Sequence, residues 1–374
     1  MADNERTAHT PGNAPLVSAI LPIYNAEPYL NQALASVRHQ TLSDIEIICV
    51  SDGSTDGSLP IMKGHAAADR RVRVIDKSNG GYGSACNCGL DEARGTYVAV
   101  VEPDDWIEPG MFKSLLDCAL GFDEPVDIVK SPYWRIVDPD TPGERRINCS
   151  YRGRIKPTAQ PFDIHNAGAN HLLRHHPSIW SALYRRAFLA DAGIRFREIP
   201  GAGWADNPFF YETLLDARTI AYLDTPFYCY REEGADKAAR FARTSTLVPF
   251  ERMDDLFGIV EAREVSDPLI LQALYARGFT YLAGVLDYVS LEADEGLRNA
   301  VERMFSRMDD ALVFSEPTIE PALKALYARL KGVTAPRMAK IPYWGFLARE
   351  FAYSARNLGP AETFGRLTGF LHRR

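Results

Sequence analysis

The chain has 374 residues, 46% of them hydrophobic and 24% charged, a balance that excludes wholesale disorder and allows one large core or two domains. Its formal net charge of −7 argues against a nucleic-acid-binding surface spread over the whole protein. Its six cysteines lack the spacing of zinc ligands, and several lie in apolar runs, so a reduced, cytoplasmic compartment fits them best.

The first predicted strand follows a polar stretch. Residues 1–15 have no apolar core, which predicts a disordered tail and no signal peptide. Residues 16–24 are apolar and predict a strand, and Pro28 suits the first turn of a helix that reaches about residue 40. No apolar run in the chain approaches the roughly 18 residues of a membrane span.

Strands and helices then alternate up to about residue 120. The buried strands predicted in this part of the chain are 45–50, 72–75 and 98–101. The helices between them end near residues 68 and 95. Such alternation predicts an α/β fold with a mostly parallel sheet covered by helices on both faces.

The strand at 98–101 ends abruptly in Glu102-Pro103-Asp104-Asp105. Pro103 cannot continue a central strand, so the carboxylates are presented together at the C-terminal edge of the sheet, where open α/β sheets bind ligands. Crowded like charges favour a cation, and oxygen ligands suit Mg²⁺ or Mn²⁺ bridging to phosphates. These residues alone also fit a solvated acidic turn that caps the next helix.

Three more polar loops are expected at the same edge of the sheet. They span residues 22–25, 51–58 and 79–84. Asp52 can accept hydrogen bonds from a base or a ribose, and backbone N–H groups near Gly81 and Gly83 can approach a phosphate. Each loop alone could be only a turn or a helix cap, but together they predict a nucleotide site.

Past residue 120 the alternation loosens. Residues 126–137 and 221–230 each predict one or two strands, and 145–154 is a basic, polar stretch. His171 and His175 can share a helix face, where solvated or substrate-facing histidines are favoured over a metal site.

From about residue 245 the pattern becomes helical, which predicts a domain boundary near 235–245. The final segment, 337–374, carries seven basic and two acidic residues, a net charge of +5, together with many aromatic residues. This composition predicts contact with an anionic membrane surface, or a helix that packs its aromatic residues on the protein or on a second copy.

Taken in order, the motifs of the first 235 or so residues resemble those of family-2 inverting glycosyltransferases with a GT-A fold, of the bacterial surface-polysaccharide type. The matching segments are 22–25, 51–56, 83–90, 102–105, 179–186, 205–206 and 228–231. The resemblance implies a GT-A domain at 16–240. It does not extend to the helical region at 241–374.

The motifs and the resemblance together identify the candidate site residues. The candidates for binding the nucleotide-sugar donor are Pro22, Tyr24, Asn25, Asp52, Asn79, Gly81, Asn87 and Asp104. The candidates for holding Mg²⁺ or Mn²⁺ are Asp104, Glu102 and Asp105. The resemblance makes Asp206 the catalytic base, whereas the residues alone allow a helix N-cap. Trp180, Trp204 and Arg231 are candidates on the acceptor side, although Trp180 fits core packing equally well.

Three positions depart from the family pattern. Glu102 replaces the usual first Asp and keeps its charge, Cys86 stands where many members have an Arg, and Ala205 replaces the usual Glu beside the base. The last two leave open a catalytically weakened, nucleotide-sugar-binding homologue that serves as a partner or regulator. A nucleotidyltransferase is disfavoured because residues 16–25 contain no Gly, Lys or Arg.

The predicted function is transfer of a sugar from a nucleotide-diphosphate sugar, taken as a UDP-sugar, to a hydroxyl of a glycan or lipid-linked acceptor. Nucleic acid is not expected as a partner. Contact with a membrane surface through 337–374 and a homodimer are both left open. The expected location is the cytoplasm, with peripheral attachment at the inner face of the plasma membrane as the alternative.

Overall fold

The chain divides into two compact units, Met1–Ala239 and Arg240–Arg374. The computed structural model describes residues 14–151, 155, 157, 160–166, 170–201, 204–232, 245–337, 341–357 and 363. Most of the predicted N-terminal tail and the end of the basic segment at 337–374 lie outside the described residues.

The strands of unit 1 form two sheets. The strands in its described residues are β1 Val17–Ile23, β2 Ile45–Asp52, β3 Val72–Lys77, β4 Tyr97–Val100, β5 Trp106–Ile107, β6 Ile128–Lys130, β7 Tyr133–Val137, β8 Arg145–Asn148, β9 Ala182–Arg185, β10 Ile220–Tyr222 and β11 Tyr228–Glu232. The larger sheet has the order β10-β6-β9-β4-β1-β2-β3. Six of its seven strands run in one direction, and β9 is antiparallel to β4 and β6. This confirms the predicted mostly parallel sheet.

Helices connect the strands of unit 1. Those in the described residues are α1 Glu27–Arg38, α2 Ser58–Ala68, α3 Tyr82–Glu92, α4 Met111–Ala119, α5 His171–Arg174, α6 Arg186–Asp191 and α7 Asp206–Asp216. In α1, Leu30, Leu34 and Val37 are buried at helical spacing, and Pro28 lies in the first turn as predicted. All of β1 and β2 is buried, which explains why their apolar runs are continuous instead of alternating.

The smaller sheet is a feature that the sequence did not predict. Its order is β5-β11-β7-β8. β5 has only two residues, which follow the acidic turn at 102–105, and Tyr228 of β11 pairs opposite Ile107. The polar stretch that begins at residue 145 supplies the edge strand β8, which explains its lack of apolar pattern. The sheet brings β11 alongside the acidic turn.

Unit 2 is helical in its described residues. Its helices are α8 Val248–Ala262, α9 Pro268–Leu286, α10 Glu295–Ser306, α11 Asp310–Ser315, α12 Pro321–Lys331 and α13 Ile341–Asn357. A cluster of Phe279, Phe305 and Tyr327 rings joins α9, α10 and α12. Among the described residues, α9 has the length and hydropathy of a membrane span, which the sequence analysis missed, and half of that window is buried inside the protein.

The N-terminal turn of α3 is packed tightly against the segment that follows α6. The amide N–H of Tyr82 donates to the carbonyl of Gly201 at 2.9 Å. A Cβ atom at Gly83 would lie 1.9 Å from the carbonyl oxygen of Arg197, so only glycine fits there. The side chain of Asn87 fixes the same segment, because its amide donates to Phe196 O and Glu198 Oε1, both at 3.0 Å.

Replacement of Gly83 by alanine is therefore expected to destabilise unit 1 by about 1–3 kcal/mol, since the added carbon must displace backbone. Gly64 of α2 is the matched control, because nothing lies within 4 Å of a Cβ built there. Gly64→Ala is expected to stabilise by about 0.5–1 kcal/mol. Urea unfolding followed by tryptophan fluorescence measures both, because unit 1 holds four of the five tryptophans. Equal stability of the two variants would contradict the packing described.

Candidate active site

A pocket of about 520 Å³ opens where β1, β2 and β4 end. The described residues that line it are Pro22, Ile23, Tyr24, Asn25, Ala26, Tyr29, Asp52, Asn79, Gly81, Tyr82, Ala85, Glu102, Pro103, Asp104 and Gly201. Eight of the fourteen predicted site residues are among them: Pro22, Tyr24, Asn25, Asp52, Asn79, Gly81, Glu102 and Asp104. The four loops that the sequence analysis expected at one edge of the sheet thus share one pocket.

The acidic turn is held by β11 through one tyrosine. The hydroxyl of Tyr228 donates to Asp105 Oδ2 at 2.7 Å and accepts the backbone N–H of Glu102 at 3.0 Å. Asp105 is 2% exposed, and its other oxygen accepts the amide N–H of Arg231 at 2.7 Å. Both oxygens of Asp105 are therefore engaged within the protein. This position does not support the prediction that Asp105 is a metal ligand.

The side chain of Arg231 reinforces the same turn. Its Nε donates to the carbonyl of Asp104 at 2.9 Å, and the guanidinium lies over the rings of Tyr29 and Trp106, 5.0 Å from each centroid. It also donates to Gln32 of α1 and pairs with Asp140. Arg231 thus joins the turn to α1, a positioning role that the sequence analysis, which placed Arg231 on the acceptor side, did not predict.

Glu102 and Asp104 are the two carboxylates of the turn that line the pocket. Glu102 Oε1 accepts the hydroxyl of Tyr82 at 2.5 Å. Burial raises the pKa of Glu102 well above its usual value, and the carboxylates of Asp104, Asp105 and Asp206 raise it further. The anionic form of Glu102 is therefore costly unless a cation compensates it.

Asp52 organises the glycine-rich loop. Its carboxylate accepts the backbone N–H groups of Gly80 and Gly81 at 3.0 and 2.8 Å and the ammonium of Lys77 at 2.6 Å. Asn79 donates to the carbonyl of Asp52 at 2.9 Å. The N–H of Gly81 is therefore bonded to an internal carboxylate, and the expectation that backbone N–H groups near Gly81 and Gly83 approach a phosphate stays a prediction.

The loops after β1 and β2 cap each other. The backbone N–H groups at the start of α1 donate to side chains of the second loop: Asn25 to Ser54, Ala26 to Ser58 and Glu27 to Asp56. In return, side chains of the first loop accept N–H groups of the second: Asn25 from Thr55 and Glu27 from Gly57, both at 2.8 Å. The polar side chains at 54–58 could have capped their own helix. They chiefly accept the backbone N–H groups at the start of α1 instead.

The proposed base, Asp206, is the first residue of α7 and is partly exposed. The negative charge of its carboxylate raises the pKa values of Tyr82 and Glu102. Asp206 therefore interacts with the acidic turn through its charge, although it is not among the described residues that line the pocket. Ala205 is buried beside it. Trp204 precedes it with a φ of +55° and is partly exposed. The roles of Asp206 and Trp204 remain predictions.

Two predicted contact residues have structural roles. Trp180 is 4% exposed and stacks on Tyr228 and Tyr230, with centroids 4.1 and 5.6 Å away. The burial of Trp180 supports the core-packing alternative of its two predicted roles. Its ring packs on Tyr228, the tyrosine that fixes the acidic turn. Asn87 is 4% exposed, holds the segment after α6 and is not among the described residues that line the pocket, so its role in donor binding stays a prediction.

Several residues that shape the site were not predicted from the sequence. Tyr82 and Tyr29 line the pocket, Lys77 pairs with Asp52, and Tyr228 fixes the acidic turn. Lys77 lies just before the predicted loop at 79–84 and Tyr82 lies within it, and these positions could have signalled both residues. Tyr228 lies in the matching segment 228–231, but it is more than 120 residues from its partners, so no local pattern connects it with the acidic turn.

No group of three or more His, Cys, Asp and Glu side chains in the described residues is arranged to hold a metal ion. His171 and His175 contact each other through their Nε2 atoms, and α5 ends between them. A divalent cation in the pocket would therefore need ligands beyond Glu102 and Asp104. Mg²⁺ commonly takes one or two carboxylates and completes its shell with substrate phosphates and water.

Comparison with known proteins finds a matching family and similar curated proteins. Residues 18–189 match the family described as Glycosyl transferase family 2. The chain is 35% identical over 231 residues to the uncharacterized glycosyltransferase EpsJ of Bacillus subtilis, covering 58% of this chain and 61% of that protein. It is 26% identical over 316 residues to the minor teichoic acid biosynthesis protein GgaB of the same organism, covering 81% of this chain and 33% of that one. The chain thus spans less than two thirds of these relatives.

Among solved structures, S. aureus TarS 1–349 in complex with UDP-GlcNAc superposes with a TM-score of 0.64 at 23% identity. The match covers 84% of this chain and 87% of that one. At this identity the likeness establishes the fold, which is the GT-A fold that the motifs implied.

Tyr228→Phe is expected to lower the free energy of unfolding by about 1–3 kcal/mol, because it leaves a buried oxygen of Asp105 without its donor. Tyr230→Phe is the matched control, since among the described residues no group bonds to the Tyr230 hydroxyl, and about 0.5 kcal/mol or less is expected. Urea unfolding compares the two variants. A loss for Tyr230→Phe as large as that for Tyr228→Phe would contradict the assigned bridge.

Proposed function

We propose that the chain, whose residues 18–189 match Glycosyl transferase family 2 and whose fold is GT-A-like, transfers a sugar from a UDP-sugar to a hydroxyl of a glycan or lipid-linked acceptor in surface-polysaccharide synthesis. The observation that carries the proposal is the single pocket that joins the three predicted nucleotide loops to Glu102 and Asp104. The UDP-GlcNAc complex of TarS supports the choice of nucleotide, and the teichoic acid role named for GgaB supports the acceptor class.

We place this activity in the cytoplasm, at the inner face of the plasma membrane, where lipid-linked acceptors are reached. The net charge of −7 supports the absence of nucleic acid among its partners. A homodimer remains a proposal that sedimentation of the purified protein decides.

A divalent cation, Mg²⁺ or Mn²⁺, fits the pocket. Glu102 and Asp104 line it together, and the raised pKa of Glu102 reflects burial and uncompensated negative charge. We therefore assign Asp104 and Glu102 as protein ligands, and leave Asp105 out because both of its oxygens are bonded within the protein. When bound, the cation neutralises charge on the diphosphate leaving group.

Asp206 is the base in this proposal. Its carboxylate accepts the proton of the acceptor hydroxyl as that oxygen bonds to C1 of the sugar, and the bond from C1 to the diphosphate oxygen breaks on the opposite face. The configuration at C1 is therefore inverted. Helix α7 holds Asp206 at its first residue.

A weakened, nucleotide-sugar-binding homologue is the second candidate. Cys86 is fully buried, and burial raises the pKa of its thiol well above the usual value, so it offers no charge where many family members have an arginine. Ala205 likewise offers no carboxylate beside Asp206. Such a protein would bind the donor through the same pocket and act as a partner or regulator.

Donor binding is expected to depend on Asp104 and on the cation. A UDP-sugar at 100 times its Kd stabilises the wild type by about 2.7 kcal/mol, seen as a rise in melting temperature with Mn²⁺ that is much smaller with EDTA. Asp104→Asn is expected to lose most of this rise, whereas Asp123→Asn, at an exposed position, keeps it. No rise with any nucleotide sugar would overturn the proposed function.

Asp206→Asn is expected to lower the rate of transfer by about 10²–10⁴, the usual contribution of a positioned base, while the donor-induced rise in melting temperature is kept. The readout is nucleoside diphosphate released with candidate donors and acceptors. Asp216→Asn, at the other end of α7, is the control and keeps the rate. Wild-type speed in Asp206→Asn refutes the base. A wild type that binds donor but releases nothing supports the weakened homologue.

A further inference from the structure

The last described helix exposes a concentration of large apolar side chains. Eight such side chains are exposed in the described part of the chain, and three of them belong to α13: Ile341 at 57%, Trp344 at 52% and Phe351 at 49%. A scattered exposed hydrophobic residue needs no explanation, but three on one 17-residue helix do.

These side chains share one face of α13. The exposed apolar positions are Ile341, Trp344, Ala348, Phe351, Ala352 and Ala355. Their spacings of three, four and one residues keep them within about a third of the circumference of the helix. They form a continuous stripe about 21 Å long at 1.5 Å per residue.

The opposite face of α13 is already packed on unit 2. Tyr343 is 2% exposed, and its hydroxyl lies 3.2 Å from Glu320 Oε1, at the start of α12. Ser354 is 7% exposed. The stripe is therefore the outer side of a docked helix, and burying it requires a surface from outside the described residues.

The charges beside the stripe are positive. Arg349 and Arg356 are exposed, lie seven residues apart on one border of the stripe, and pair with no carboxylate in the described residues. Residues 337–374 carry +5 in a chain of net −7, so the other 336 residues carry −12. An anionic surface would thus repel most of this protein and attract this segment.

We propose that α13 is an interfacial helix that binds an anionic phospholipid bilayer, with the stripe in the boundary between headgroups and acyl chains and the two arginines on lipid phosphates. The stripe is one helix wide, which suits an interfacial helix. The area that it can bury falls short of the roughly 800 Å² per partner of a stable protein interface. The proposal shares with the proposed function only its location at the membrane.

Cosedimentation of the full chain with vesicles tests this without donor or acceptor, so its failure leaves the transfer chemistry untouched. We expect binding to phosphatidylcholine vesicles that contain phosphatidylglycerol, and little binding to phosphatidylcholine alone. Trp344→Ser with Phe351→Ser is expected to lower the partition coefficient about 100-fold. Arg349→Gln with Arg356→Gln is expected to lower it about 30-fold.

The matched control is Leu120→Ser with Tyr288→Ser, which removes two exposed apolar side chains elsewhere and should leave partitioning unchanged. A second readout does not depend on loss of binding. Brominated acyl chains should quench wild-type fluorescence on vesicle binding, and Trp344→Phe should abolish that quenching while the protein still cosediments, because only the stripe tryptophan enters the bilayer.

Equal sedimentation with anionic and neutral vesicles would overturn the proposal. The proposal would also be overturned if Trp344→Ser with Phe351→Ser lowered the partition coefficient no more than the control variant does, provided that both variants keep the wild-type circular dichroism spectrum. A dimer in light scattering that those changes convert to monomer, with no vesicle binding by the wild type, would assign the stripe to a second copy of the chain instead.

Discussion

The site depends on holding together carboxylates that repel one another. A buried strand ends before Pro103, and the acidic side chains of Glu102, Asp104 and Asp105 must occupy one turn at the sheet edge. The turn is fixed from outside by Tyr228, whose single hydroxyl serves both Glu102 and Asp105, and by the backbone and side chain of Arg231. Because Trp180 in turn stacks on Tyr228, the small second sheet and its aromatic core act as the support of the acidic turn.

The larger sheet could be predicted because its information is local. Continuous apolar runs mark strands buried on both faces, and Pro28 and the spacing of Leu30, Leu34 and Val37 mark α1. The smaller sheet could not be predicted in this way. β5 has two residues, and its pairing with β11 joins positions more than 120 residues apart, so nothing near residue 106 indicates its partner.

The location of the pocket could be predicted for the same reason, since parallel strands bring the loops at their C-terminal ends together. The partners of individual polar groups could not be predicted in this way. Asp105, Asn87 and the N–H of Gly81 have the chemistry of ligand contacts, yet each is bonded within the protein. Residue type says which bonds a group can make. Only the packing of distant segments says whether those bonds remain for a ligand.

The exchange of caps between the loops after β1 and β2 has a consequence for engineering. Each loop supplies the acceptors for the other: Asn25 and Glu27 serve the second loop, and Ser54 and Asp56 serve the first. A loop grafted alone from a relative would leave both its own N–H groups and those of its neighbour without acceptors. The two loops therefore form one transplantable module, and a change of nucleotide specificity by grafting has to move them as a pair.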